Sequence, residues 1–210
     1  MKGNCQMIYG IVDAGGTSMI EKLANTIVVQ MIERDYCTSD MKEHYVYALI
    51  ITVEKWITLA TIFGISLMAR KVISTILFEF FFFSLRKRTG GYHTEKFWQC
   101  YMGTVFTYVV IVLFQTFWVK HIELLLGATF VCAIVIGYIG TVNHPNMAMS
   151  KTEVHVSQKV ARQVLFVELT VIICGMYCRF PIVYICYMLI AIILCAVLMV
   201  IAKILKQEVK

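Results

Sequence analysis

The sequence predicts an all-α integral membrane protein: a polytopic helical bundle of about six membrane helices led by an amphipathic N-terminal helix. Three observations predict it. Of the 210 residues, 60% are hydrophobic and 15% charged, whereas soluble domains hold roughly 45–50% apolar and about a quarter charged residues. The excess lifts the mean hydropathy to +0.76 and falls in blocks of about 17–25 residues, the length that crosses a hydrocarbon core of ~30 Å. Lysines and arginines gather at the edges of those blocks, as topology signals do. Helices are expected because a spanning segment must satisfy its own backbone hydrogen bonds, and the ~10-residue alternating strands of a barrel are absent.

The elements follow in order. Residues 1–40 are expected to form an interfacial N-terminal segment and residues 41–210 the bundle, together one membrane domain. The opening "MKGNCQMIYGIVDAGGTSMIEKL" lacks an apolar core followed by a small-residue cleavage site, so no signal peptide is expected. In "SMIEKLANTIVVQMIER", Ser18 and Glu21 fit a capping box. Met19, Ile20, Leu23, Ile27, Val28 and Met31 then recur at helical spacing, which predicts an amphipathic helix on the membrane surface or on the bundle. Residues 45–69 form a first span carrying Glu54 and Lys55. Residues 71–85 form a short second one with Glu79 among phenylalanines. Residues 101–119 and 122–142 read as a helical hairpin around "KHIE". A polar cytoplasmic loop, 143–163, precedes spans at 164–178 and 182–202.

Positive charge sets orientation. Arg86, Lys87 and Arg88 mark one cytoplasmic loop, Lys151, Lys159 and Arg162 another, and Lys203, Lys206 and Lys210 an inside C-terminus. Arg70 and Lys71 would then lie outside, which leaves a tilted or re-entrant pair open for residues 45–85. The net charge of +6 speaks to the lipid bilayer and not to nucleic acid. Five of the eight cysteines, Cys132, Cys174, Cys178, Cys186 and Cys195, lie in apolar runs and are expected as buried free thiols. No spacing matches a zinc ligand set. Neither metal nor organic cofactor is expected.

The stretch "LRKRTGGYHTEKFWQC" stands apart, because it carries groups that can do chemistry. Gly90 and Gly91 allow a sharp turn after the basic cluster, and Thr94 can cap the helix that follows. His93 precedes that helix and Cys100 lies about two turns into it. Seven residues on a straight helix span about 10.5 Å, too far for contact. The pair therefore works only if the glycine turn folds His93 back or a second protomer supplies it. A thiolate is a strong nucleophile, and an adjacent imidazole can take its proton and later return it to a leaving amine. The plainer alternative makes His93 an interfacial residue, Cys100 a helix filler and the basic run a topology signal.

The segment resembles the signature of the AgrB (accessory gene regulator B) family of bacterial peptide quorum sensing. That pattern is an Arg, a Gly five residues later, a His two beyond and a Cys seven beyond. Arg86, Gly91, His93 and Cys100 match it in type and spacing. Length, an amphipathic front and a polar loop with Pro145 and basic residues are similar too. The resemblance implies a cysteine endopeptidase of the bacterial cell membrane, working at the cytoplasmic face on a short AgrD-like precursor peptide. Cys100 would be the nucleophile and His93 the base and then acid. Arg86 would meet an acidic precursor tail or a structural carboxylate, and Gly91 would serve backbone geometry. The first step turns an amide into a thioester and is uphill. The second exchanges that thioester for a thiolactone and is nearly balanced, so tail removal or export must pull the reaction.

Glu54, Glu79 and Asn143 are candidates to orient His93. Glu79 lies seven residues before Arg86 and is expected to pair structurally with an arginine. Gly127, Gly137 and Gly140 could support close helix contacts in a homodimer. Two rivals stay open: a small transporter or channel with Glu54, Lys55 and Glu79 lining its path, and a non-catalytic factor that docks a partner through the amphipathic helix.

Overall fold

The computed structural model describes residues 19–34, 36, 38–91, 97–143 and 150–205. Among these residues there are eight α-helices and no strand, so the all-α expectation holds. The helices are α1 (Met19–Glu33), α2 (Lys42–Met68), α3 (Val72–Thr89), α4 (Phe97–Leu113), α5 (Gln115–Lys120), α6 (Ile122–Ile139), α7 (Lys151–Tyr177) and α8 (Ile182–Ile204). Among the described residues, four are long and apolar enough to cross a membrane: Ala48–Met68, Ile122–Ile139, Thr152–Tyr177 and Ile182–Ile204. The apolar part of α4, Trp98–Leu113, is shorter. The chain divides into two compact units, residues 1–64 with 95–105 and residues 65–94 with 106–210.

The first unit holds α1, most of α2 and the start of α4. In α1, Ala24 and Val28 are buried, four residues apart on one face. Leu23 and Ile27 remain exposed, which suits an interfacial helix. Ser18, the expected cap, lies outside the described residues. The start of α4 is tied to α2 by a hydrogen bond between the Tyr101 and Thr61 hydroxyls, 3.1 Å apart.

The second unit is organised around α8. Ile185 to Ile192 are buried without a break, because α8 is apolar on every side, with mean hydropathy 3.1. Helices α3, α5, α6 and α7 all pack on it. Near its start, the Cys186 thiol donates to the Trp118 carbonyl at 3.7 Å, and the Tyr187 hydroxyl to Gln115 Oε1 at 3.5 Å. Both partners belong to α5. Farther along, the Cys195 thiol donates to the Phe82 carbonyl of α3 at 3.5 Å. Helices α3, α6 and α8 end together at one end of this unit, and α7 begins there. Val142, just past α6, donates its N–H to the Thr89 carbonyl at 2.9 Å, and Gly91 lies against the α8 backbone at Leu198.

Several sequence expectations change. The basic cluster Arg86–Arg88 is the last turn of α3 and not a loop, where cations face the negative end of the helix dipole. The span expected at 101–119 begins at Phe97 and breaks at Phe114, and a single residue, His121, joins α5 to α6. The polar stretch 143–163 is helical from Lys151 onward. There Ser150 caps the helix: its hydroxyl accepts the Glu153 N–H at 3.3 Å, and its own N–H donates to the Glu153 carboxylate at 2.7 Å. Cys186 and Cys195 are buried as expected, but Cys174 and Cys178 are exposed. An apolar run in a membrane helix can face lipid, so hydropathy does not equal burial in protein. The phenylalanine stripe divides in the same way, with Phe78 and Phe81 buried and Phe80 exposed.

Candidate functional site

The expected site residues fall in both units. Cys100 lies in the first turn of α4, in the first unit, and its thiol is free and exposed. Its carbonyl accepts the Thr104 hydroxyl at 2.8 Å, an ordinary back-bond along the helix. His93 and Thr94 lie outside the described residues. Glu54 is half-buried on α2 in the same unit as Cys100. Arg86, Gly91, Glu79 and Asn143 belong to the second unit.

In the second unit the structure brings Arg86 and Gly91 together at the end of α3. Gly90 donates its N–H to the Arg86 carbonyl at 3.1 Å and so terminates the helix. The Arg86 guanidinium curls over this turn and donates through Nη1 to the Gly90 carbonyl. Gly90 and Gly91 both have positive φ, 65° and 130°, a region that side-chain-bearing residues seldom enter. Each also lacks room for a Cβ. At Gly90 it would stand 2.6 Å from the Val142 carbonyl oxygen, and at Gly91 it would collide with the Arg86 guanidinium. The five-residue spacing of Arg and Gly therefore has a local cause: the arginine needs the space the glycine leaves. This backbone acceptor for Arg86 is a contact that spacing did not predict. Glu79 is half-buried two turns earlier on α3.

The carbonyls at the end of α3 would otherwise be unsatisfied. The Arg88 carbonyl accepts two hydroxyls, Thr141 Oγ1 at 2.9 Å and Ser157 Oγ at 3.0 Å. The Thr89 carbonyl takes the Val142 N–H. Thr89 itself is fully buried, and its hydroxyl donates to the Leu85 carbonyl at 3.2 Å.

One polar residue escaped the sequence reading. Glu168, in the middle of α7, is only 4% exposed. Its Oε1 accepts the Ser84 hydroxyl of α3, while its Oε2 is buried without a hydrogen-bond partner among the described residues. A carboxylate within the apolar second half of α7 was the signal that could have found it. Among the described residues no group of three or more His, Cys, Asp or Glu side chains could hold a metal ion.

Among the described residues, an all-α fold with four helices long and apolar enough to cross a membrane defines a membrane protein. More narrowly, the chain belongs to the Accessory gene regulator B (AgrB) family, whose sequence model matches residues 20–205. Among curated proteins and solved structures, none matches. Membership makes it a protease-like membrane protein of the agr quorum-sensing system, involved with an AgrD-type precursor.

Proposed function

We propose that the protein is a membrane-embedded cysteine endopeptidase that removes the C-terminal tail of an AgrD-type precursor and promotes thiolactone closure. In this reading Cys100 attacks a precursor carbonyl. A C–S bond forms, the amide C–N bond breaks, and the thiol proton passes through His93 to the leaving amine. A cysteine of the precursor then takes the acyl group, which frees Cys100 and closes the ring. The observation that carries the reading is the complete set Arg86, Gly91, His93 and Cys100, at family spacing inside the matched segment. The exposure of Cys100 at the start of α4 supports it, since a nucleophile must be reachable. The Arg86–Gly91 turn ends two residues before His93 in the chain.

The reading takes α2, α3, α4 with α5, α6, α7 and α8 as six crossings. The basic end of α3, the start of α7 and the end of α8 are then cytoplasmic, and the chemistry falls at that face. Two copies would meet through small residues of α6. Gly127 has open space around it and suits such a contact, whereas Gly140 is already packed on Gln158.

The test is co-expression with a precursor encoded beside this chain. Tail cleavage should disappear in Cys100→Ala and in His93→Ala while both variants accumulate in the membrane. Cleavage that survives both changes overturns the assignment, and solute flux in proteoliposomes would favour a transporter instead.

A further inference from the structure

We infer that Thr141 and Ser157 are positioning residues for the Arg86–Gly91 turn, which ends two residues before His93 in the chain, acting through the Arg88 carbonyl; this rests on the Cys100–His93 reading. Three observations carry it. First, one carbonyl oxygen, that of Arg88, receives both hydroxyls, at 2.9 and 3.0 Å. A carbonyl has two lone pairs, so this acceptor is saturated. Second, the two donors flank the connection between α6 and α7. Thr141 lies at its start, two residues past the end of α6, and Ser157 in the second turn of α7. Both sides of that connection therefore close on the last turn of α3. Third, the same turn is held from two further directions, by the Val142 N–H on the Thr89 carbonyl and by the Arg86 guanidinium on the Gly90 carbonyl. The lack of Cβ space at Gly90 against Val142 shows how closely the two backbones approach.

The consequence is mechanical. A helix end normally frays, because its last carbonyls lack partners. Here Thr141 and Val142 just past α6, Ser157 of α7 and the Arg86 side chain supply those partners. The residues from Arg88 to Gly91 are thus fixed to the bundle, and the chain leaves toward His93 from a defined point. Small displacements of a catalytic group cost rate steeply. In this role the two hydroxyls act through the turn alone, so their effect appears in turnover and not in affinity.

The experiment uses the full chain in nanodiscs, with Thr141→Val, Ser157→Ala and the double variant. Hydrogen exchange is read over residues 86–91, with the buried stretch 185–192 of α8 as internal reference. The double variant should exchange faster at 86–91 and unchanged at 185–192. Unchanged exchange at 86–91 overturns the clamp, whatever the chemistry at Cys100. Precursor cleavage is read in the same preparations. The double variant should lose kcat at least about tenfold with KM unchanged, and the hydroxyl-keeping pair Thr141→Ser and Ser157→Thr should restore it. Unaltered kcat alongside faster exchange, or loss that the hydroxyl-keeping pair fails to restore, overturns the positioning role. Cleavage that persists in Cys100→Ala shows instead that the dyad reading has failed, and the exchange result still decides the clamp.

Discussion

Gly91 concentrates three demands in one position. Its φ of 130° excludes most side chains, the Arg86 guanidinium occupies the space of a Cβ, and the α8 backbone at Leu198 closes the remaining side. Gly91→Ala should therefore displace Arg86 and strain the turn by about 1–3 kcal/mol. A lower unfolding temperature together with weakened precursor cleavage checks this. The thiols give a second outcome at this scale. Cys100 is exposed, and Cys186 and Cys195 are fully buried with carbonyl acceptors. In the folded protein a water-soluble maleimide should label Cys100 and leave Cys186 and Cys195 unmodified until denaturant is added. Mass mapping of labelled peptides reads the difference.

The helix ends show how the elements are joined. The last turn of α2 closes with Arg70 at φ 55° and that of α7 with Arg179 at φ 57°. At each, the next residue reaches back to complete a Schellman motif, Lys71 to the Ser66 carbonyl at 2.8 Å and Phe180 to the Gly175 carbonyl at 2.9 Å. Glycine usually holds this position, because a side chain there costs about 1–2 kcal/mol. Arg179 is exposed, so Arg179→Gly should raise stability by up to about 1 kcal/mol, partly offset by the greater freedom of glycine in the unfolded chain. Thermal unfolding in detergent measures it. At its other end α7 is closed by the Ser150–Glu153 capping box. "SKTE" has the same form as the "SMIE" read at the front of the chain, so the start of α7 was legible by the same rule. The long polar run after it masked the signal, because solvated and lipid-buried turns of one helix differ in composition.

For the molecule as a whole, α8 carries the second unit. The unbroken burial of Ile185 to Ile192 makes that stretch the least tolerant. Leu189→Ala should cost about 2–5 kcal/mol, since neighbours on several helices cannot all close a cavity there. Loss of folded protein from detergent extracts checks it. Glu168 adds a polar link between α7 and α3 inside this apolar unit. A carboxyl kept there with one oxygen unpartnered among the described residues is costly, and its burial between two helices is a property of their packing.

By itself the sequence determined the class of fold, the approximate positions of the long apolar helices, the basic clusters beside them and the candidate residues Arg86, Gly91, His93 and Cys100. Each follows from local information: block length against bilayer thickness, charge beside apolar runs, and spacing along the chain. The tertiary structure alone decided which apolar faces meet protein and which remain exposed, why Arg86 and Gly91 belong together, and that Thr141 and Ser157 share the Arg88 carbonyl. Hydropathy is the same for a lipid-facing and a buried side chain, and hydrogen bonds between residues 53 and 69 positions apart leave no mark in a linear pattern. Those contacts arise only when helices distant in sequence end at one place.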